Sequence, residues 1–204
     1  MFELVLFDNG LEEAVTAMVR SGFYSANEIV EFFREIATDD PDAGLDPDTV
    51  DEDVHRIVVA ATSLLLEASA NWPEKTDNDR LAEAFQHLNE CGIRAVQNYG
   101  FEASDCLELY REIRGDAEWR GYCFYHNQDL ARAVLGGGLA VRFSAAVDRP
   151  TDDENRAIGA AIVDILRTHG LQPEWDGDPR RVISLPFEWQ RRPGKSGFHP
   201  HSAE

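Results

Sequence analysis

The spacing of apolar residues changes near the middle of the chain, and this change limits the fold more than any other feature. Up to Gly92 the apolar residues recur every three or four positions, as they do on one face of an α-helix. From Ile93 onward, short β-prone runs alternate with short helical segments. The sequence therefore predicts an α+β fold, with a helical N-terminal half followed by a mixed sheet that carries packed helices.

The predicted sheet has about five strands. The clearest is 139–145, where the side chains alternate with the two-residue period of a strand. The full set of strand candidates is 93–97, 121–126, 139–145, 171–175 and 181–189. We predict an acidic helical region at 1–75, an α/β sheet region at 76–192 and a flexible tail at 193–204.

Two segments show clear start signals for helices. Ser25 is followed three residues later by Glu28, and Thr151 by Glu154, which is the pattern of a capping box. The longest predicted helix covers about residues 50–70, with an apolar stripe that extends from Val50 to Ala68.

Acidic residues are concentrated in the helical half. The net charge is -19, and residues 1–90 hold 21 acidic side chains against five basic ones. Nucleic acids and anionic membrane surfaces are bound through basic residues, so the sequence predicts neither as a partner. The charge fits a basic protein partner better, and the alternative is that it serves only solubility.

The cellular location of the protein is predicted from the lack of a membrane span, the lack of a secretory signal and the spacing of the cysteines. No window has the length of apolar residues that a membrane span requires, and the first residues lack the basic start of a secretory signal. The three cysteines, an odd number with wide spacing, form no disulfide framework. Reduced thiols and the missing signal predict a cytoplasmic protein.

A polar rim is predicted where two strands end. Gln97 and Asn98 follow one strand, and His126, Gln128 and Asp129 follow the next. Strand ends are common positions for ligand sites in α/β proteins, so these five residues form our first candidate site. The alternative is that His126 and Asp129 cap a strand-to-helix turn.

A second group of candidate ligand-binding residues lies near the C-terminus. Trp175 and Asp176 begin a hairpin turn, and Arg191 offers a guanidinium group to a carboxylate or phosphate. The alternative is structural, because aromatic pairs stabilise hairpins and the arginine is free to pair with acidic residues of the same chain.

Known cofactor and metal motifs do not match the sequence. The acidic run at 39–53 fails the calcium-loop pattern, since Leu45 stands where glycine is required. Gly136-Gly137-Gly138 precedes a strand, whereas a phosphate-binding loop follows one. The sequence therefore predicts no cofactor and no metal, and it leaves open whether the protein is an enzyme.

Several sequence blocks occur in order at consistent spacing. They are WPxxTDxDRL at 72–81, GYxFYHxQD at 121–129, WDG at 175–177 and WxRR at 189–192. In these blocks the chain resembles an uncharacterised bacterial family, a domain of unknown function. The resemblance implies an intracellular bacterial protein with helices and a sheet, and it implies no reaction.

Two functions follow as hypotheses. The first is a non-enzymatic interaction or regulatory module whose acidic helical half binds a basic protein. The alternative is a small-molecule-binding protein or enzyme with a polar rim around His126.

Overall fold

The computed structural model describes residues 9–100 and 103–193. Within these residues the α-helices are α1 (Leu11–Ser21), α2 (Ala26–Asp39), α3 (Val50–Ser69), α4 (Asp77–Glu90), α5 (Cys106–Ile113), α6 (Asn127–Val134) and α7 (Asp152–Thr168). The strands are β1 (Ile93–Val96), β2 (Gly121–Phe124), β3 (Leu139–Ala145) and β4 (Ile183–Leu185). The predicted α+β class with a helical N-terminal half is confirmed.

The described residues form two compact units. The helical unit contains the residues up to Glu74 together with those from Gln190 onward, and the sheet unit is Lys75–Trp189. The predicted domain boundaries after residues 75 and 192 stay predictions. Of the predicted flexible tail, residues 194–204 lie outside the described part of the chain.

Helix α3 is the centre of the helical unit, since both α1 and α2 pack against it. Its N-terminal half is buried through Val50, Val54, Ile57, Val58 and Ala61. At about 1.5 Å per residue, α3 is roughly 30 Å long, whereas α2 is roughly 21 Å and α1 shorter still. The C-terminal turns of α3 are exposed because these shorter helices do not cover them.

The sheet unit contains four strands in the order β1-β2-β3-β4. Strands β1 and β2 are parallel, and the other two pairs are antiparallel. Because β1 and β2 run in the same direction, the residues that follow them meet at one edge of the sheet. This edge holds Gln97 and Asn98 beside His126.

The prediction of about five strands was one too high. The segment 171–175 makes a single β-bridge, in which Glu174 pairs with Ser184, and does not form a strand. The bridge remains isolated because the next hydrogen-bonded pair in this register would be Gln172 with Pro186, and Pro186 has no N–H to donate. Pro186 likewise ends β4 at Leu185, so the predicted strand 181–189 is reduced to three residues.

The two faces of the sheet differ in chemistry. Helices α4 and α7 pack on the sheet and on each other. On the other face, Tyr122 and Phe124 of β2 lie opposite Ser144 and Arg142 of β3 in the antiparallel register. Leu109 and Ile113 of α5 cover part of this second face and join its apolar cluster.

Candidate functional site

The turn between β2 and α6 is a buried capping box. His126 is the N-cap of α6 and is 1% exposed. Its Nδ1 accepts a hydrogen bond from the Asp129 backbone N–H at 3.3 Å, and its own backbone N–H donates to Asp129 Oδ2 at 3.4 Å. Since Nδ1 accepts, the neutral ring carries its proton on Nε2, which lies 3.2 Å from Asp129 Oδ2.

Arg142 completes this cluster from the neighbouring strand β3. Its Nε and Nη2 donate to the two oxygens of Asp129 at 3.1 and 3.2 Å, a bidentate contact. The side chain of Asp129 is 7% exposed, whereas that of Arg142 is 30% exposed. The three residues therefore form a network in which a buried carboxylate joins the helix cap to the sheet.

Burial lowers the pKa of His126, and the nearby Arg142 guanidinium acts in the same direction, while Asp129 opposes them. Protonation of Nδ1 would also place an N–H against the N–H of Asp129. His126 is therefore neutral in the folded protein at pH 7, as a structural cap requires.

The other rim residues are held in different ways. Gln97 Oε1 accepts a hydrogen bond from the Tyr125 hydroxyl at 3.0 Å, and Gln128 is exposed to solvent. Asn98 is 7% exposed and has a φ of 50°, a conformation that asparagine tolerates better than most residues. Its Oδ1 is buried without a hydrogen-bond partner among the described residues. Ligand binding by these residues stays a prediction.

Trp175 and Asp176 build the turn before β4. The Trp175 ring meets Phe143 edge-on at a centroid distance of 5.6 Å, and its Nε1 donates to the Asp178 carbonyl at 2.9 Å. Asp176 accepts from the Asp178 backbone N–H at 3.0 Å and pairs with Arg181 at 2.9 Å. These contacts give both residues a structural role in the turn.

Arg191 belongs to the helical unit, apart from the other candidates, which all lie in the sheet unit. Its guanidinium carbon lies 4.1 Å from the centroid of the Phe23 ring, within the range of a cation–π contact. The structure therefore gives Arg191 an aromatic partner within its own unit.

A cleft of about 310 Å³ lies on the face of the sheet that carries Arg142. Its lining includes Cys106, Tyr122 and Ser144, none of which is among the site residues predicted from the sequence. Burial raises the pKa of Tyr122 to about 12 and raises that of the Cys106 thiol. Both groups keep their protons at neutral pH, so neither is an activated nucleophile.

The arginines of the cleft are already paired. Arg142 contacts Asp129, Arg180 contacts Asp152 at 2.8 Å, and Arg181 contacts Asp176. The guanidinium groups are thus neutralised within the protein, which argues against the cleft as a site for a phosphate.

The helical unit has a larger concavity. A surface groove of about 650 Å³ lies between α2 and α3, lined by Asn27, Val30, Glu31, Arg34, Asp51, Glu52, His55 and Arg56. Arg34 makes a bidentate contact with Asp51, and Arg56 pairs with Asp53 at 2.8 Å. Glu31 and Glu52 have no ion pair among the described residues, which leaves the groove acidic.

An exposed stripe continues from this groove along α3. It consists of Glu52, His55, Val59, Ser63 and Leu66, and we call it the α3 face. Its spacing of three and four residues places all five side chains on one side of the helix. Val59 is 56% exposed and Leu66 is 54% exposed. The α3 face is therefore acidic at one end and apolar at the other.

The capping role of His126 predicts a specific pH dependence. His126→Asn keeps a good N-cap residue but removes the titrating ring. Between the ordinary histidine pKa and the lower folded value, the unfolded chain binds a proton that the native chain does not, so native stability falls as pH falls. We expect the unfolding free energy to decline from pH 7.5 to pH 5.5 more steeply in the parent than in the variant. Urea denaturation followed by circular dichroism measures this, and parallel pH profiles would contradict the cap assignment.

The fold defines the class of the chain, an α+β protein with a helical N-terminal half. The family model of the domain of unknown function DUF6891 matches residues 7–193. The chain therefore belongs to the DUF6891 family, which confirms the resemblance to an uncharacterised family. No curated protein and no solved structure matches the chain.

The described residues were also compared with the requirements of a membrane-spanning helix and of a metal site with three or more ligands. Within residues 9–100 and 103–193, no helix has both the length and the apolar character that crossing a membrane requires. In the same residues, no group of three or more histidine, cysteine, aspartate or glutamate side chains is arranged to hold a metal ion.

Proposed function

We propose that this protein is a bacterial cytoplasmic interaction module, and that the α3 face with its adjoining groove binds a basic amphipathic helix of a partner protein. The observation that carries the proposal is that the acidic groove between α2 and α3 continues along α3 into an exposed surface with two apolar side chains, Val59 and Leu66. Helix-in-groove recognition uses apolar anchors at intervals of three, four and seven residues, and Val59 and Leu66 are seven apart.

Charge supports a basic partner. Residues 1–74 carry 17 acidic side chains and three basic ones. Because Asp51 and Asp53 already neutralise the two groove arginines, Glu31 and Glu52 are the carboxylates that a partner's lysines or arginines would meet. Complementary charge also accelerates association and suppresses wrong partners.

The alternative function, a small-molecule-binding protein or enzyme with a rim around His126, has less support. His126 and Asp129 use their polar atoms on each other, on the backbone and on Arg142. Neither the groove nor the cleft, both formed by described residues, is lined by His126.

The probe for the proposal is a synthetic helical peptide of about 15 residues, which matches the roughly 21 Å from Glu52 to Leu66. It carries lysines at one end and leucines along one side, and a matched peptide has glutamate in place of each lysine. We expect saturable binding of the basic peptide, weakening as salt is added, and much weaker binding of the acidic one.

Paired charge variants then locate the site. Glu31→Gln/Glu52→Gln should weaken binding by about two- to fivefold per carboxylate, as for exposed ion pairs. Glu12→Gln/Glu13→Gln makes the same change in net charge on exposed positions of α1 and should have a smaller effect. Equal losses in the two double variants, or equal binding of the two peptides, would refute the proposed face.

A further inference from the structure

Two histidines that are 82 residues apart in sequence face each other in the sheet unit. His87 lies in the last turn of α4, and His169 is the C-cap residue of α7. His87 Nδ1 is 3.2 Å from His169 Nε2. From the geometry of this pair we propose a transition-metal site, with zinc as its reference ion, in which these two nitrogens are the protein ligands and water completes the shell.

The separation of the nitrogens fits a shared ion. Zinc–imidazole bonds of about 2.0–2.1 Å at a tetrahedral angle place two ligand nitrogens about 3.3–3.4 Å apart. The observed 3.2 Å is close to this separation, so a rotation of the two rings that turns both lone pairs toward one ion would complete the geometry. His169 is 20% exposed and His87 is partly buried, so solvent reaches the pair and water can supply the remaining ligands.

The surroundings of His169 resemble the outer shell of a metal site. Its Nδ1 is 3.4 Å from Glu83 Oε2, and Glu83 in turn pairs with Lys75 at 2.5 Å. A carboxylate at Nδ1 holds the proton there, which leaves the Nε2 lone pair directed toward His87. His87 needs only a change of tautomer to present the Nδ1 lone pair as the second ligand.

The two helix ends also favour a cation. The C-terminus of a helix carries a partial negative charge from its unpaired carbonyls. Both histidines lie at such ends, one on α4 and one on α7. The site therefore combines two neutral nitrogen ligands, a carboxylate behind one of them and two helix C-termini.

The test is calorimetric titration of the full chain with zinc chloride. Cys91→Ser, His199→Ala and His201→Ala form the background, since an exposed thiol and two imidazoles elsewhere in the sequence would bind zinc themselves. We expect one saturable site, which His87→Gln or His169→Gln reduces at least tenfold. Glu83→Gln should weaken binding about tenfold, the scale of outer-shell substitutions. His55→Gln, an exposed histidine of α3, should leave binding unchanged.

Nuclear magnetic resonance of the histidine nitrogens tests the site without the glutamine variants, so the result does not depend on whether those variants fold. In the folded background chain, zinc should shift the ¹⁵N resonances of His87 Nδ1 and His169 Nε2 more than those of any other imidazole nitrogen. Absence of saturable binding, binding unchanged by either glutamine variant, or unshifted resonances at these two nitrogens would overturn the proposal.

Discussion

Asp129→Ala is expected to reduce the free energy of unfolding by about 3 kcal/mol, within the range for removing one partner of a buried ion pair. The variant leaves Arg142 without its carboxylate and removes the acceptor of the His126 backbone N–H. Partial exposure of Arg142 places the effect at the lower end of that range. Urea denaturation at pH 7.5 measures the change.

The control for this prediction is an exposed aspartate that also pairs with an arginine. Asp153 contacts Arg156 in the first turn of α7, and its side chain is 92% exposed. Asp153→Ala should change stability by less than about 0.5 kcal/mol, as exposed pairs contribute little. A double-mutant cycle of Asp129→Ala with Arg142→Met should show non-additivity. Similar losses for Asp129→Ala and Asp153→Ala would contradict the buried network.

Leu66→Asp is expected to reduce the affinity for the basic helical peptide by about 30-fold or more, equivalent to the ~2 kcal/mol of a hot-spot residue. Val59→Asp should have a comparable effect, since the two side chains are the apolar anchors of the α3 face. Both are more than half exposed, so fold stability should change by only about 0.5 kcal/mol. Fluorescence anisotropy of a labelled peptide measures the affinity.

Leu107→Asp is the matched control, because Leu107 is 56% exposed and lies on α5 of the sheet unit. The substitution adds the same charge at similar exposure and should leave peptide binding nearly unchanged. If Leu107→Asp and Leu66→Asp reduce affinity alike, the peptide recognises total charge and not the α3 face.

Local signals in the sequence predicted the helix starts. The capping boxes at Ser25 and Thr151 are both present, with each side chain accepting from the backbone N–H three residues later. Such caps depend on four consecutive residues, so a short sequence window contains all the necessary information. His126 and Asp129 use the same geometry, which favours their interpretation as the cap of a strand-to-helix turn.

Contacts that depend on register could not be predicted in this way. Arg142 meets Asp129 because β2 and β3 pair with Phe124 opposite Arg142. One residue of slippage would turn Arg142 to the other face of the sheet. The pair of His87 and His169 depends in the same way on how α4 and α7 pack, and a separation of 82 residues carries no motif.

The apolar stripe of α3 shows a further limit of periodicity. The pattern predicted a continuous apolar face from Val50 to Ala68, but full burial stops at Ala61. Leu65 of this stripe is only partly buried and Ala68 is exposed, beyond the cover of the shorter helices. Periodicity identifies the apolar side of a helix, whereas the lengths of its neighbours decide how much of that side is covered.

The most direct test of the proposed function is a ¹H–¹⁵N chemical-shift titration of the labelled full chain with the basic helical peptide. The proposal predicts that the largest shifts fall on residues 27–34 of α2 and 51–66 of α3, with Glu52, Val59 and Leu66 among them. Largest shifts within Lys75–Trp189, or shifts spread evenly over all acidic residues, would contradict it.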